Sequence, residues 1–76
     1  MITSAQLRAA RALLRITAAD LAGLSGVGVS TIKRFELADG VPAANVRTLE
    51  ALKLTIENQG VEFIGAPNDK PGVRLK

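Results

Sequence analysis

A chain of 76 residues with no cysteine and no histidine has neither disulfides nor Cys/His metal sites with which to staple itself. At this length only ~60% of the unfolded chain's surface is buried on folding. The core must therefore come from close helix packing of an aliphatic-rich composition, 47% hydrophobic and 3% aromatic. The net charge of +3 and a pI near 10.0 favour polyanionic partners. No run approaches the ~20 apolar residues of a membrane span.

Thr3 and Gln6 have the spacing of a capping box. Leu7, Ala10 and Leu14 then recur at helical spacing, which predicts a first helix over about residues 4–14. Across the N-terminal region Arg8, Arg11 and Arg15 interrupt the apolar residues, unlike a secretory signal, so a soluble cytoplasmic protein without a membrane partner is expected. Thr17 and Asp20 repeat the cap with a shorter acid and open a second helix carrying Leu21 and Ala22 inward. It is expected to stop near Ser25 and Gly26, where glycine supplies left-handed backbone.

Only Val27 and Gly28 separate that helix from a third apolar set, Ile32 and Phe35. So short a link forces two short helices to cross steeply, and the expectation is a helix-turn-helix over about residues 18–37. Asp39, Gly40 and Pro42 break the chain. Asn45 can cap a fourth helix of about residues 46–59, carrying Val46, Leu49, Leu52 and Ile56 and ended by Gly60. Beyond it the segments 61–64 and 73–75 are strand-like, and residues 65–72 between them are dense in turn formers. A β-hairpin over residues 61–75 follows. Alone it is marginal in water, so its apolar face must cover the helices or meet another copy of the chain. The expectation is one mainly α domain over residues 1–76, four short helices and a C-terminal β-hairpin.

The densest constellation is Asp20-Leu21-Ala22, Ser25-Gly26-Val27, Ile32 and Phe35-Glu36. Small Ala22 lets the third helix pass close to the second, Gly26 turns the chain, and Val27 plugs the angle. Ile32 and Phe35 seat the third helix on the core. Seated so, it is expected to turn Gly28, Val29, Ser30, Lys33, Arg34 and Leu37 outward together. A helix presented in this way fits the major groove of double-stranded DNA, where base edges are distinguishable. Arg34 is suited to a bidentate contact with guanine and Lys33 to guanine or phosphate, Ser30 is a further base or phosphate contact, and Val29 suits a thymine methyl. Thr31 either contacts a phosphate or merely starts the helix. A solvated helix face is the plainer account of Lys33 and Arg34. Lys53, Lys70, Arg74 and Lys76 read as solubility charges.

Residues 7–40 resemble the lambda-repressor-like, Cro-type helix-turn-helix proteins (the XRE family) through Leu7, Arg11, Leu21-Ala22, Ser25-Gly26-Val27, Thr31-Ile32 and Glu36. The tail, residues 60–64 through 71–75, is similar to a compact bacterial subgroup ending in such a segment. The resemblance implies a lambda-repressor-like bundle and a non-catalytic, sequence-specific DNA-binding regulator, a repressor in the first instance. It also implies that Arg11 pairs with Glu36, bracing the recognition helix and setting Arg11 near a phosphate. An ordinary salt bridge is the competing account of that pair. Two positions depart from the family. Ala18 stands where a phosphate- or base-contacting glutamine is usual, and Gly28 where a capping serine is common.

Catalysis has no visible basis: there is no nucleophile–base arrangement, no phosphate-binding glycine loop, and no implied cofactor or metal. The rival reading is a protein-interaction module, an antitoxin-like regulator on the same scaffold. Ala18, Ala19, Leu24 and Leu37 favour it, while Lys33, Arg34 and the basic pI oppose it. A bare dimerisation unit has only the hairpin in its favour. A lone recognition helix covers few base pairs, so a homodimer is expected, with the hairpin's unpaired edge as its interface.

Overall fold

The computed structural model describes residues 2–42 and 45–76. Four helices, α1 (Ser4–Leu14), α2 (Ala18–Ser25), α3 (Val29–Leu37) and α4 (Val46–Asn58), precede an antiparallel hairpin of β1 (Val61–Ala66) and β2 (Asp69–Leu75). The fold is mainly α. Each of the first two helices begins in a reciprocal cap. In α1 the Thr3 Oγ1 accepts from the Gln6 amide at 3.1 Å, while Gln6 Oε1 accepts from the Thr3 amide at 2.8 Å. In α2 Thr17 and Asp20 do the same at 3.0 and 2.9 Å, and those hydrogen bonds hold the Asp20 carboxyl below its ordinary pKa. Such boxes satisfy two otherwise free backbone donors at once.

The ends of these helices differ. Gly26 closes α2 in the left-handed region (φ 76°), as glycine readily does. Arg15 closes α1 at φ 57°, a conformation that costs a side chain of its size more. Asn45 caps α4 by accepting from the Arg47 amide at 2.8 Å.

The core is mainly aliphatic and draws on all four helices and β1: Ile2, Leu7 and Ala10 beside Leu21, Ile32, Phe35, Leu49, Leu52, Ile56 and Val61. Val27 packs against it between α2 and α3, and Ala22 does so from α2. Leu49, Leu52 and Ile56 occupy one stripe of α4, the i, i+3, i+7 spacing of a helix with one buried face. Val46, expected with them, is exposed. It begins the helix a turn before the stripe, rotated away from it.

The hairpin is tighter than its composition suggests. Residues 65–72 were expected as one long turn, yet pairing continues to Ala66 opposite Asp69, leaving Pro67 and Asn68 as the turn. The register shifts between Ile64 and Ala66, because Ile64 faces Gly72 while Ala66 faces Asp69. Lys70 and Pro71 therefore oppose Gly65 alone, a bulge on β2. Lys70 takes φ 52° there and Gly65 φ 77°. A Cβ on Gly65 would lie 2.2 Å from the Lys70 carbonyl oxygen, so only glycine fits. Pro71 is tolerated within the strand because a two-stranded sheet leaves each strand an unpaired side.

Gln6 ties the hairpin to the first helix. Besides capping, its Nε2 donates to the carbonyls of Ile64 (3.2 Å) and Gly72 (3.0 Å), one on each strand. Phe63 and Val73 pack on the core from the hairpin. The apolar face thus covers the helices, one of the two outcomes expected for it.

Candidate nucleic-acid interface

The candidate interface is the outer face of α3, and its position is fixed from α1. Glu36, in the last turn of α3, is nearly buried. Arg11 meets its carboxylate with two donors, Nε to Oε2 and Nη2 to Oε1, both at 2.7 Å. The side chains are 26% and 9% exposed. The third guanidinium nitrogen of Arg11 donates to the Ile16 carbonyl at 3.0 Å, so one side chain grips both the end of α3 and the linker leading to α2. The hydrogen bond to Glu36 raises the Arg11 pKa above its already high ordinary value. The fork of a guanidinium matches a carboxylate in a way an ammonium does not.

A second arginine acts on the same turn. Arg8 Nη1 donates to the Glu36 backbone carbonyl, one of the acceptors a helix C-terminus leaves free. Cations are favoured at that end of the helix dipole. The loop after α3 is fastened as well, since the Ser4 amide and hydroxyl both donate to the Gly40 carbonyl, at 2.8 and 3.2 Å. α3 is thus held at its C-terminal end by two residues of α1, with a third on the loop that follows, and along its length by Ile32 and Phe35 in the core.

With that seating, Gly28, Ser30, Lys33, Arg34 and Leu37 face solvent. Thr31 is half-buried. Val29, expected outward, instead packs against the core. It shares the inward stripe with Ile32 and Glu36 at i, i+3 and i+7, so its methyls are turned partly away from any groove-facing surface. Arg34 lays its guanidinium 5.6 Å from the Phe35 ring centroid, a cation–π distance from which the side chain can still swing outward. Gly28 caps α3 without a side-chain hydrogen bond. Leu37 is 87% exposed, and Leu24 on α2 is exposed too. Ala18 is buried in the core and Ala19 is exposed. Position 18 therefore offers solvent almost nothing.

Arg8 and Gln6 are the residues whose positional roles the sequence did not reveal. Both act on backbone carbonyls far along the chain, and a carbonyl has no residue type to recognise. Among the described residues, no cluster of three or more acidic, Cys or His side chains is placed to hold a metal ion. No helix of the structure is long and apolar enough to cross a membrane. Comparison with protein-family models and with curated proteins finds no match to this chain.

Proposed function

We propose that the chain is a lambda-repressor-like helix-turn-helix regulator that binds double-stranded DNA with α3 in the major groove. The observation that carries this reading is the outward set Ser30, Lys33 and Arg34 on a helix whose last turn is locked by Arg11 and Arg8. A recognition helix must present its side chains in one fixed geometry, because a bidentate base contact tolerates little misplacement. Ser30 and Lys33 address base edges or phosphates, and Arg34 reaches guanine after leaving the Phe35 ring. Gly28 and Thr31 flank the first-turn amides of α3, which no side chain caps and which suit a phosphate. Arg11 acts as a brace whose remaining exposed edge lies available to the DNA backbone. Val29 and Leu37 complete the surface, the first with a reduced role. The absence of a side chain beyond Cβ at Ala18 takes one polar contact away, so binding is weaker than glutamine there would give. Regulation by repression, in the cytoplasm and as a dimer, is the biological setting that suits such a module.

Selection from random-sequence duplexes at two salt concentrations tests the reading. An enriched motif with a steep salt slope supports it. Replacing Arg34 by alanine should then cost about 1–3 kcal/mol and relax one base position, whereas a phosphate contact at Lys33 would weaken all sequences alike. Failure to enrich any motif, with weak binding unchanged in Lys33→Ala/Arg34→Ala, removes it. Leu37 favours a second reading, in which the same face binds a protein. Leu37, 87% exposed at the C-terminal end of α3, is the apolar side chain such a partner would cover. A Leu37→Ser variant that loses a protein partner yet keeps DNA affinity would establish it.

A further inference from the structure

The outer face of α4 has no role in the reading above. It carries Val46 and Leu54, 57% and 60% exposed, and with Arg47, Glu50, Ala51, Lys53 and Glu57 it lines a shallow groove of ≈ 360 Å³. These residues fall on one side of the helix, away from the stripe of Leu49, Leu52 and Ile56. Along that side the charges alternate as Arg47, Glu50, Lys53 and Glu57, three or four residues apart. Among the described residues none of the four forms an ion pair; the ion pairs present are Arg11–Glu36 and Arg74–Glu62.

The order of those charges has a symmetry. Read backwards, it is the same sequence with every sign inverted. When two copies of the face are laid antiparallel about a two-fold axis between Ala51 and Leu52, Arg47 stands within one residue, about 1.5 Å along the helix, of Glu57 of the other copy. Glu50 then stands level with Lys53 of the other copy. The axis repeats both pairings, which makes four opposite-charge contacts. Laid parallel, the same faces set like charges against like. Ala51 is small at the crossing point, and Val46 and Leu54 supply apolar surface beside the charges. We propose that α4 is a self-association surface, and that its partner is the α4 of a second copy of this chain, antiparallel and isologous. A single 13-residue helix is a small contact beside a standard interface, so the association is weak and concentration dependent. This places the dimer on α4 rather than on the free edge of the hairpin.

Sedimentation of the whole chain across a concentration series, without nucleic acid, tests the proposal. Wild type should move from monomer towards dimer, less so at high salt as the charge pairs are screened. Glu50→Lys alone and Lys53→Glu alone each create two like-charge contacts per dimer and should weaken self-association by more than about tenfold. The double variant Glu50→Lys/Lys53→Glu should restore it. The two single variants, mixed, should form a heterodimer that neither forms with itself. Glu50 is exposed and Lys53 half-buried, and circular dichroism identifies any variant that fails to fold. Wild type monomeric at its highest soluble concentration would overturn the proposal, as would a dimer indifferent to Glu50→Lys or a double variant that stays monomeric. Because the measurement contains no DNA, its failure leaves the DNA reading intact, and the reverse also holds.

Discussion

The corner between α1 and α3 and the C-terminal hairpin each contain an arginine–carboxylate pair at short distance, and the two pairs do different things. Arg74 Nε donates to Glu62 Oε1 at 2.5 Å, directly across the hairpin, with both side chains exposed. Arg11 meets Glu36 with two donors at 2.7 Å and spends its third on a backbone carbonyl, with the carboxylate nearly out of water. Distance alone would rank the hairpin pair first. Burial and the number of satisfied donors reverse the order, because water and salt already serve an exposed pair well, while removing one partner of a buried pair strands the other. The lesson is that α3 is positioned by chemistry, whereas the hairpin is positioned by shape, through Gly65, Phe63 and Val73, and by one glutamine.

The largest effect that would break this contrast is expected at Glu36. Glu36→Ala leaves the guanidinium of Arg11 partly buried without its carboxylate and should cost about 2–3 kcal/mol. For a domain of this size that is a drop of roughly ten degrees or more in Tm. A loss near zero by thermal denaturation would make the two pairs equivalent and end the comparison. Gly65→Ala comes next. Its Cβ meets backbone rather than a flexible side chain, at a left-handed position, so about 1–2 kcal/mol is expected. Hydrogen exchange should show the hairpin amides losing protection first, with α1 and α3 amides nearly unchanged; equal loss in both would mean the hairpin is not a separable unit.

The smallest effects lie at the exposed pair. Arg74→Ala should leave the neutral-pH melting temperature without measurable change. Its hydrogen bond to Glu62 holds that carboxyl below the usual range, so the contribution is fully present above the ordinary glutamate pKa. It is lost only as pH falls through the lowered value. Asp20, lowered by its cap to Thr17, titrates in the same sense. An acid titration of stability should therefore show wild type and Asp20→Asn furthest apart at neutral pH and converging as the carboxyl is protonated in acid; a difference that persists undiminished in strong acid would contradict the assignment.

What the sequence made legible was mostly local. Caps at Thr3, Thr17 and Asn45 and the turn at Gly26 are relations among residues within four positions, and they mark the helix starts closely. The core stripe of α4 was legible from its period, except at Val46, which extends the hydrophobic spacing without sharing the buried side. The Arg11–Glu36 pair spans 25 positions, and only a resemblance linked its members; nothing in their spacing does. The long turn expected from residues 65–72 proved to be strand for most of its length, because glycine and proline signal a bulge as readily as a loop. Val29 looked outward by neighbourhood with Gly28 and Ser30, yet the helix period gives it to the core.

Gln6 has a consequence for the order of events in folding. Its side chain closes a cap three residues away and also reaches carbonyls 58 and 66 residues away. The first bond forms as soon as α1 does, but the others must wait for nearly the whole chain to be gathered, at the entropic cost of closing a loop over most of its length. A residue so placed is a latch closed late. In kinetic terms, Gln6→Ala should speed unfolding far more than it slows folding, giving a φ-value near zero, while substitutions among the α2 and α3 core residues should slow folding itself. A φ-value near one at Gln6 would instead make the joining of the first helix to the last strands the step that commits the chain to its fold.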